Sequence, residues 1–181
     1  GHFGAQVALE LASRAAVGAR ALVLDGGPLV APDAVAAIRA RLAQFPAPGW
    51  QADGSHRTFL HDHAVATYRI FDPGFEPDAA RLPLVHRFVG DYLAAGMPVA
   101  NDTPHDYPFA ERLRALQLPV VVLSAERDPL VSAHAPLLAC ARRGHGHVFA
   151  GSHPLHDPAR AGEYAGATTA ALAALGVRTP A

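Results

Sequence analysis

Gly1-His2-Phe3-Gly4-Ala5-Gln6-Val7-Ala8-Leu9-Glu10-Leu11-Ala12 runs from a glycine-rich turn straight into helix-forming sequence. A small-residue turn feeding a helix is the form of a nucleophile elbow, which lifts one side chain to the top of a sheet. The usual elbow reads Gly-x-Ser-x-Gly. With Gly4 as its closing glycine, the nucleophile slot falls on His2, and the opening glycine would precede Gly1. An alternative register takes one elbow residue to be deleted between His2 and Phe3, which removes the serine altogether. Neither register supports ordinary acyl-serine chemistry, which needs an activated hydroxyl in the slot.

Outward from this turn the pattern alternates. Val7, Ala8, Leu11 and Ala12 recur at helical spacing and predict a helix over 2–14. Residues 19–25 are branched and apolar, are stopped by Gly26-Gly27-Pro28, and predict a buried strand. A second strand is expected over 118–124, with Pro119 at its start, where a missing N–H costs least. A turn over 125–130 and a helix over 131–142 follow. A short third strand is expected over 146–150. Asp157 and Pro158 then suit the cap and first turn of an Ala-rich helix to about residue 175. Strands alternating with helices predict an α/β fold with a parallel sheet and right-handed crossovers.

Between Val30 and Ala110 strand runs give way to Pro, Asp, His and aromatic residues. Amphipathic helices are expected over 33–45 and 82–95. The segment 31–110 reads as a helical cap inserted between halves of a core formed by 1–30 and 111–181. Such a cap would cover the C-terminal edge of the sheet, where open α/β folds bind ligands.

The chain has 181 residues, which suits one domain, and is 50% hydrophobic, enough to bury a core. Its net charge of -1 offers no electrostatic case for nucleic acid or an anionic membrane. The single Cys140 excludes an internal disulfide and a cysteine-rich zinc site. The pairs His61-Asp62-His63 and His145-Gly146-His147 would each place two rings on one face of an extended chain. Zinc needs three or four convergent ligands, so no metal is expected. No apolar run approaches the ~20 residues of a membrane span.

Taken in order, the elbow, helix and strand over 1–28 resemble the corresponding part of α/β-hydrolase fold proteins. Arg127-Asp128-Pro129-Leu130 is similar to their acid turn, and Gly151-Ser152-His153-Pro154-Leu155-His156-Asp157-Pro158 to their histidine loop. His2-Phe3-Gly4-Ala5 further resembles Gly-x-His-Thr-Gly-Ala elbows of poorly characterised members, which tend to carry an Asp-Gly-Ser-His stretch like Asp53-Gly54-Ser55-His56.

The resemblance implies an α/β-hydrolase-like parallel sheet, incomplete because the N-terminal strands are absent. The chain is then expected to be a piece of a longer, cytoplasmic product that self-associates through an exposed sheet edge. It also implies a cofactor-independent hydrolase of an ester, amide or related carbonyl small molecule. The alternative is an inactive relative that binds a ligand or partner. Family chain order runs nucleophile, acid, histidine. It places His2 in the nucleophile slot, Asp128 as the acid (Glu126 is its near alternative) and His153 as the base, with His156 as its rival. The backbone N–H of Phe3, at a helix start, would donate to an oxyanion.

Overall fold

The branched runs flanking two of the expected turns form neighbouring strands of one parallel sheet. The computed structural model describes residues 3–14, 18–29, 36, 40, 49–95 and 107–177. These divide between two compact units: Gly1–Leu29 with Asp106–Ala181, and Val30–His105.

In the first unit, helix α1 (Phe3–Ala12) leads to strand β1 (Leu22–Asp25). The second unit contributes α2 (Ser55–Phe71) and α3 (Leu82–Ala94). The chain then forms α4 (Phe109–Ala115), β2 (Val120–Ala125), α5 (His134–Cys140), β3 (Gly144–Phe149) and α6 (Ala161–Ala174). The sheet order is β1-β2-β3, all parallel, with Leu22 opposite Val120 and Val120 opposite Gly144.

Side-chain alternation along the strands builds two cores. Leu22, Leu24, Val120 and Val122 pack with Ala5 and Leu9 of α1, Phe109 and Leu113 of α4, and Leu137 of α5. Val121, Leu123, Ala125 and Phe149 face the other way, against Ala171 and Tyr164 of α6. β2 is buried along its whole length, as a strand covered on both faces must be. Its apolar sequence follows from that position.

Two glycines permit close approach. Gly26 takes φ 58° directly after β1, turning the chain at the strand's end where a side chain would be strained. At Gly146 a Cβ would come within 2.6 Å of His134 Nε2, so α5 lies flat on β3 only because that position is bare.

Several boundaries differ from the sequence expectation. β1 starts at Leu22 and β3 at Gly144. The helix expected over 131–142 opens as a 3₁₀ turn, Val131–Ala133, before α5. Likewise Asp157 caps a 3₁₀ turn, Pro158–Arg160, by accepting from Ala159 N–H at 3.0 Å, and α6 begins only at Ala161. The helix expected over 33–45 lies outside the described residues except for Ala36 and Ala40, both helical.

The second unit holds a larger departure. α2 is a 17-residue helix where no regular element was expected. Gly54 introduces it at φ 80°, and Asp53 Oδ1 accepts from Ser55 N–H at 2.9 Å. His61 and His63 therefore stand on a helix, where residues two apart point to different sides, and not on the extended chain that would have aligned their rings. Leu60, Ala64, Phe75 and Val85 are buried, with Tyr68 stacked on Phe75 at 4.8 Å between centroids. Trp50 is 60% exposed but meets the buried His56 edge-on, while His56 Nδ1 accepts from Gln51 N–H at 3.2 Å. Among the described residues no helix is long and apolar enough to cross a membrane.

Candidate active site

Parallel strands deliver their C-terminal ends to one edge, and polar side chains placed just past those ends meet there. β1 ends on Asp25, and the loop after β3 carries His153. His153 Nε2 lies 2.8 Å from Asp25 Oδ1, with side-chain exposures of 3% and 12%. The pair is thus almost entirely withdrawn from water. Its attraction is screened far less than that of a surface ion pair.

The second ring nitrogen is held as well. Leu155 N–H donates to His153 Nδ1 at 3.2 Å, closing the 3₁₀ turn Pro154–His156. A nitrogen that accepts a backbone N–H carries no proton, so the neutral ring bears its proton on Nε2, whose approach to Asp25 is close but not aligned as a hydrogen bond. Phe149 and Tyr164 flank the imidazole, at 5.3 and 5.8 Å between ring centroids.

The other carboxylate oxygen of Asp25 accepts from the Tyr164 hydroxyl at 3.2 Å. Burial of that phenol, followed by the Asp25 charge and the hydrogen bond it accepts, pushes the Tyr164 pKa up to about 12. Tyr164 is consequently a neutral donor throughout the physiological range.

The histidine loop is fastened at its base. Arg160 donates to Ser152 O at 2.6 Å and Ala150 O at 3.3 Å, and grips Glu163 through two hydrogen bonds. Gly151 N–H donates to Glu126 Oε2 at 2.8 Å, tying the loop after β3 to the turn after β2. Glu126, the near alternative for the acid, has that structural bond.

The expected acid, Asp128, is buried, and its Oδ1 accepts from Leu130 N–H at 2.7 Å. Its carbonyl accepts from Val131 N–H, so Asp128 closes the turn that leads to α5. Asp25 is a carboxylate that lies against His153. Sequence reasoning passed over Asp25 because it read as the last residue of a buried strand. The available signal was a carboxylate ending an apolar run directly before Gly26-Gly27-Pro28. His2 lies outside the described residues. Phe3 is the first residue of α1, and its side chain and that of His156 lie outside them too.

Among the described residues a serine also meets a histidine: Ser124 Oγ lies 2.9 Å from His134 Nδ1. Ser124 is 2% exposed beneath α5, which denies this hydroxyl a substrate in this conformation. Burial and the neighbouring His147 lower the His134 pKa. Among the described residues no three His, Cys, Asp or Glu side chains form a group that could hold a metal ion.

No family model and no curated protein matches the sequence. Solved structures do match. The chain superposes on MenH from S. aureus with a TM-score of 0.59 at 14% identity, covering 96% of this chain and 66% of that one. For proline iminopeptidase from Mycobacterium smegmatis the values are 0.56, 17%, 93% and 61%. For an esterase from Exiguobacterium antarcticum they are 0.57, 14%, 94% and 63%. These neighbours share one architecture. The chain has the α/β-hydrolase fold. It spans 61 to 66% of the length of these three structures. In α/β-hydrolase chain order the acid falls between nucleophile and histidine, and Asp25 satisfies that order as Asp128 does.

Proposed function

We propose that this protein is a hydrolase of an ester, amide or related carbonyl substrate, with His153 as its acid/base and Asp25 as the carboxylate that orients it. The observation that carries the reading is the 2.8 Å contact between His153 Nε2 and Asp25 Oδ1 at the C-terminal ends of parallel strands. A carboxylate so placed fixes the imidazole tautomer and stabilises the imidazolium formed when the ring takes a proton. Nδ1 is then the basic nitrogen, and the Leu155 N–H must yield to water or to a nucleophile. His2 takes the elbow slot, as nucleophile or as a base toward water, and the Phe3 N–H donates to the developing oxyanion.

A second reading, a ligand-binding protein without catalysis, is favoured by one specific observation. Both nitrogens of His153 already face protein groups, Leu155 N–H and Asp25.

Short-chain nitrophenyl esters separate the two. Under the hydrolase reading His153→Ala lowers kcat by ~10²- to 10⁴-fold, the usual range for a positioned acid/base. Asp25→Asn lowers it more than Asp128→Asn does. Turnover indifferent to both His153→Ala and His2→Ala would sink this constellation. Tight ligand binding without ester cleavage would favour the second reading.

A further inference from the structure

Among the described residues Asp25 meets His153 and Tyr164, and the second has no part in the reaction proposed above. We propose that Tyr164 is a positioning residue of this site, its hydroxyl holding the Asp25 carboxylate in the orientation that faces His153. The inference rests on the reading of His153 and Asp25 as the working pair.

An aspartate carboxylate turns readily about its last side-chain torsion, a broad two-fold rotor. One contact to His153 leaves that rotation loosely defined. Contacts at both oxygens, Oδ1 at His153 and Oδ2 at Tyr164, define it. The remaining freedom lies in the backbone at the end of β1. There Gly26 N–H donates to Leu123 O at 3.0 Å and keeps the strand end on the sheet.

Tyr164 can serve as a fixed reference. It sits in the first turn of α6, a 14-residue helix packed on β2 and β3. Its ring stacks on Phe149 at 6.0 Å, and its carbonyl accepts from Thr168 Oγ1 at 2.8 Å. The hydroxyl stays protonated, so it donates wherever Asp25 is ionised. Tyr164 also shields one side of the carboxylate from water, which would otherwise compete for Oδ2. The contact joins residues 139 apart in sequence, so only the assembled sheet and helix create it.

The alternative role for Tyr164 is ring packing alone, and Tyr164→Phe separates the two because it keeps the ring and removes the hydroxyl. One charge-assisted hydrogen bond corresponds to about a tenfold change in rate. Tyr164→Phe is expected to lower kcat about tenfold while leaving KM nearly unchanged, the mark of a lost transition-state interaction. Ring-nitrogen NMR of His153 supplies a readout independent of turnover. The wild-type protein should show a neutral ring protonated on Nε2, Tyr164→Phe a displaced Nε2 signal, and Asp25→Asn a larger displacement. Ultraviolet titration in Asp25→Asn reads the same contact from the other side, since Tyr164 should then ionise below its value of about 12, burial alone holding it up.

Unchanged kcat and unchanged ring-nitrogen shifts in Tyr164→Phe would overturn the proposal. If Tyr164→Phe fails to fold, an unshifted tyrosine titration in Asp25→Asn overturns it instead. If no ester is cleaved by any form but the His153 shifts respond to Tyr164→Phe, the positioning role stands and the hydrolase reading fails.

Discussion

The two units set histidine in different surroundings, buried at His153 and largely exposed at His63. His153, in the sheet unit, lies between the Phe149 and Tyr164 rings but has polar groups at both nitrogens, a carboxylate at one and a backbone N–H at the other. His63, in the helical unit, lies among rings, stacked on Phe59 at 5.9 Å and edge-on to Phe88 and Tyr92 at 5.8 and 6.1 Å. Partial burial against these rings lowers the His63 pKa. A histidine set against a carboxylate is equipped to carry a proton. One packed between rings is equipped to stay neutral. Residue type alone therefore says little about function here, and environment decides it.

The contrast can be broken most forcefully through the cores that hold each environment in place. Leu24 and Phe75 are both fully buried, one in the sheet unit and one in the helical unit. Leu24→Ala should cost ~2–5 kcal/mol and Phe75→Ala ~3–5 kcal/mol, read by denaturant unfolding. Losses below 1 kcal/mol at either site would mean that the site collapses onto the gap and that its core is less closely packed than described.

A smaller effect sharpens the contrast directly. The His63 pKa in the folded protein lies below its ordinary 6.5, so the unfolded chain binds the proton more readily. Stability from the neutral ring is present above the unfolded value and is lost as pH falls from about 6.5 through the lowered folded value. His63→Phe should keep the ring packing and flatten that part of the stability–pH curve. A curve of the same slope in wild type and variant would assign the pH dependence elsewhere, with His134, also lowered by burial, the next to examine.

The smallest effect belongs to the surface. Arg69 meets Glu76 at 2.9 Å, with side-chain exposures of 46% and 72%. Glu76→Gln should change stability by less than ~1 kcal/mol, since exposed ion pairs are screened and entropically costly. A larger loss would show that Arg69, which also donates to Phe75 O at 3.1 Å, depends on Glu76 to hold the end of α2.

Much of the sheet unit was legible in the sequence. Val120 to Leu123 read as a buried strand because branched apolar residues without alternation fit a position covered on both faces. The histidine loop stood out because it follows a strand directly. α2 was missed for a physical reason. Its sequence, from Ser55 to Phe71, is on average neither hydrophobic nor polar and contains histidine, threonine and β-branched residues, which have weak helix propensity. It is helical because Ala64 and Val65 find apolar partners in Phe75 and Val85, a gain that propensity does not register. α4 was missed because its seven residues are too few to display a helical period.

Sequence by itself determined the α/β pattern, the parallel order of the strands and the placement of His153 just past a strand end. These follow from local chemistry: branched runs, turn residues and the spacing of apolar side chains. That Asp25 lies against His153 was visible only in the tertiary structure. Asp25 ends a strand, Asp128 follows one and both precede the histidine, so chain order cannot separate them. The parallel register sets Asp25 opposite Leu123, and α6 brings Tyr164 to its second oxygen. The site depends on contacts between residues more than a hundred positions apart, which exist only once the sheet and its helices have assembled.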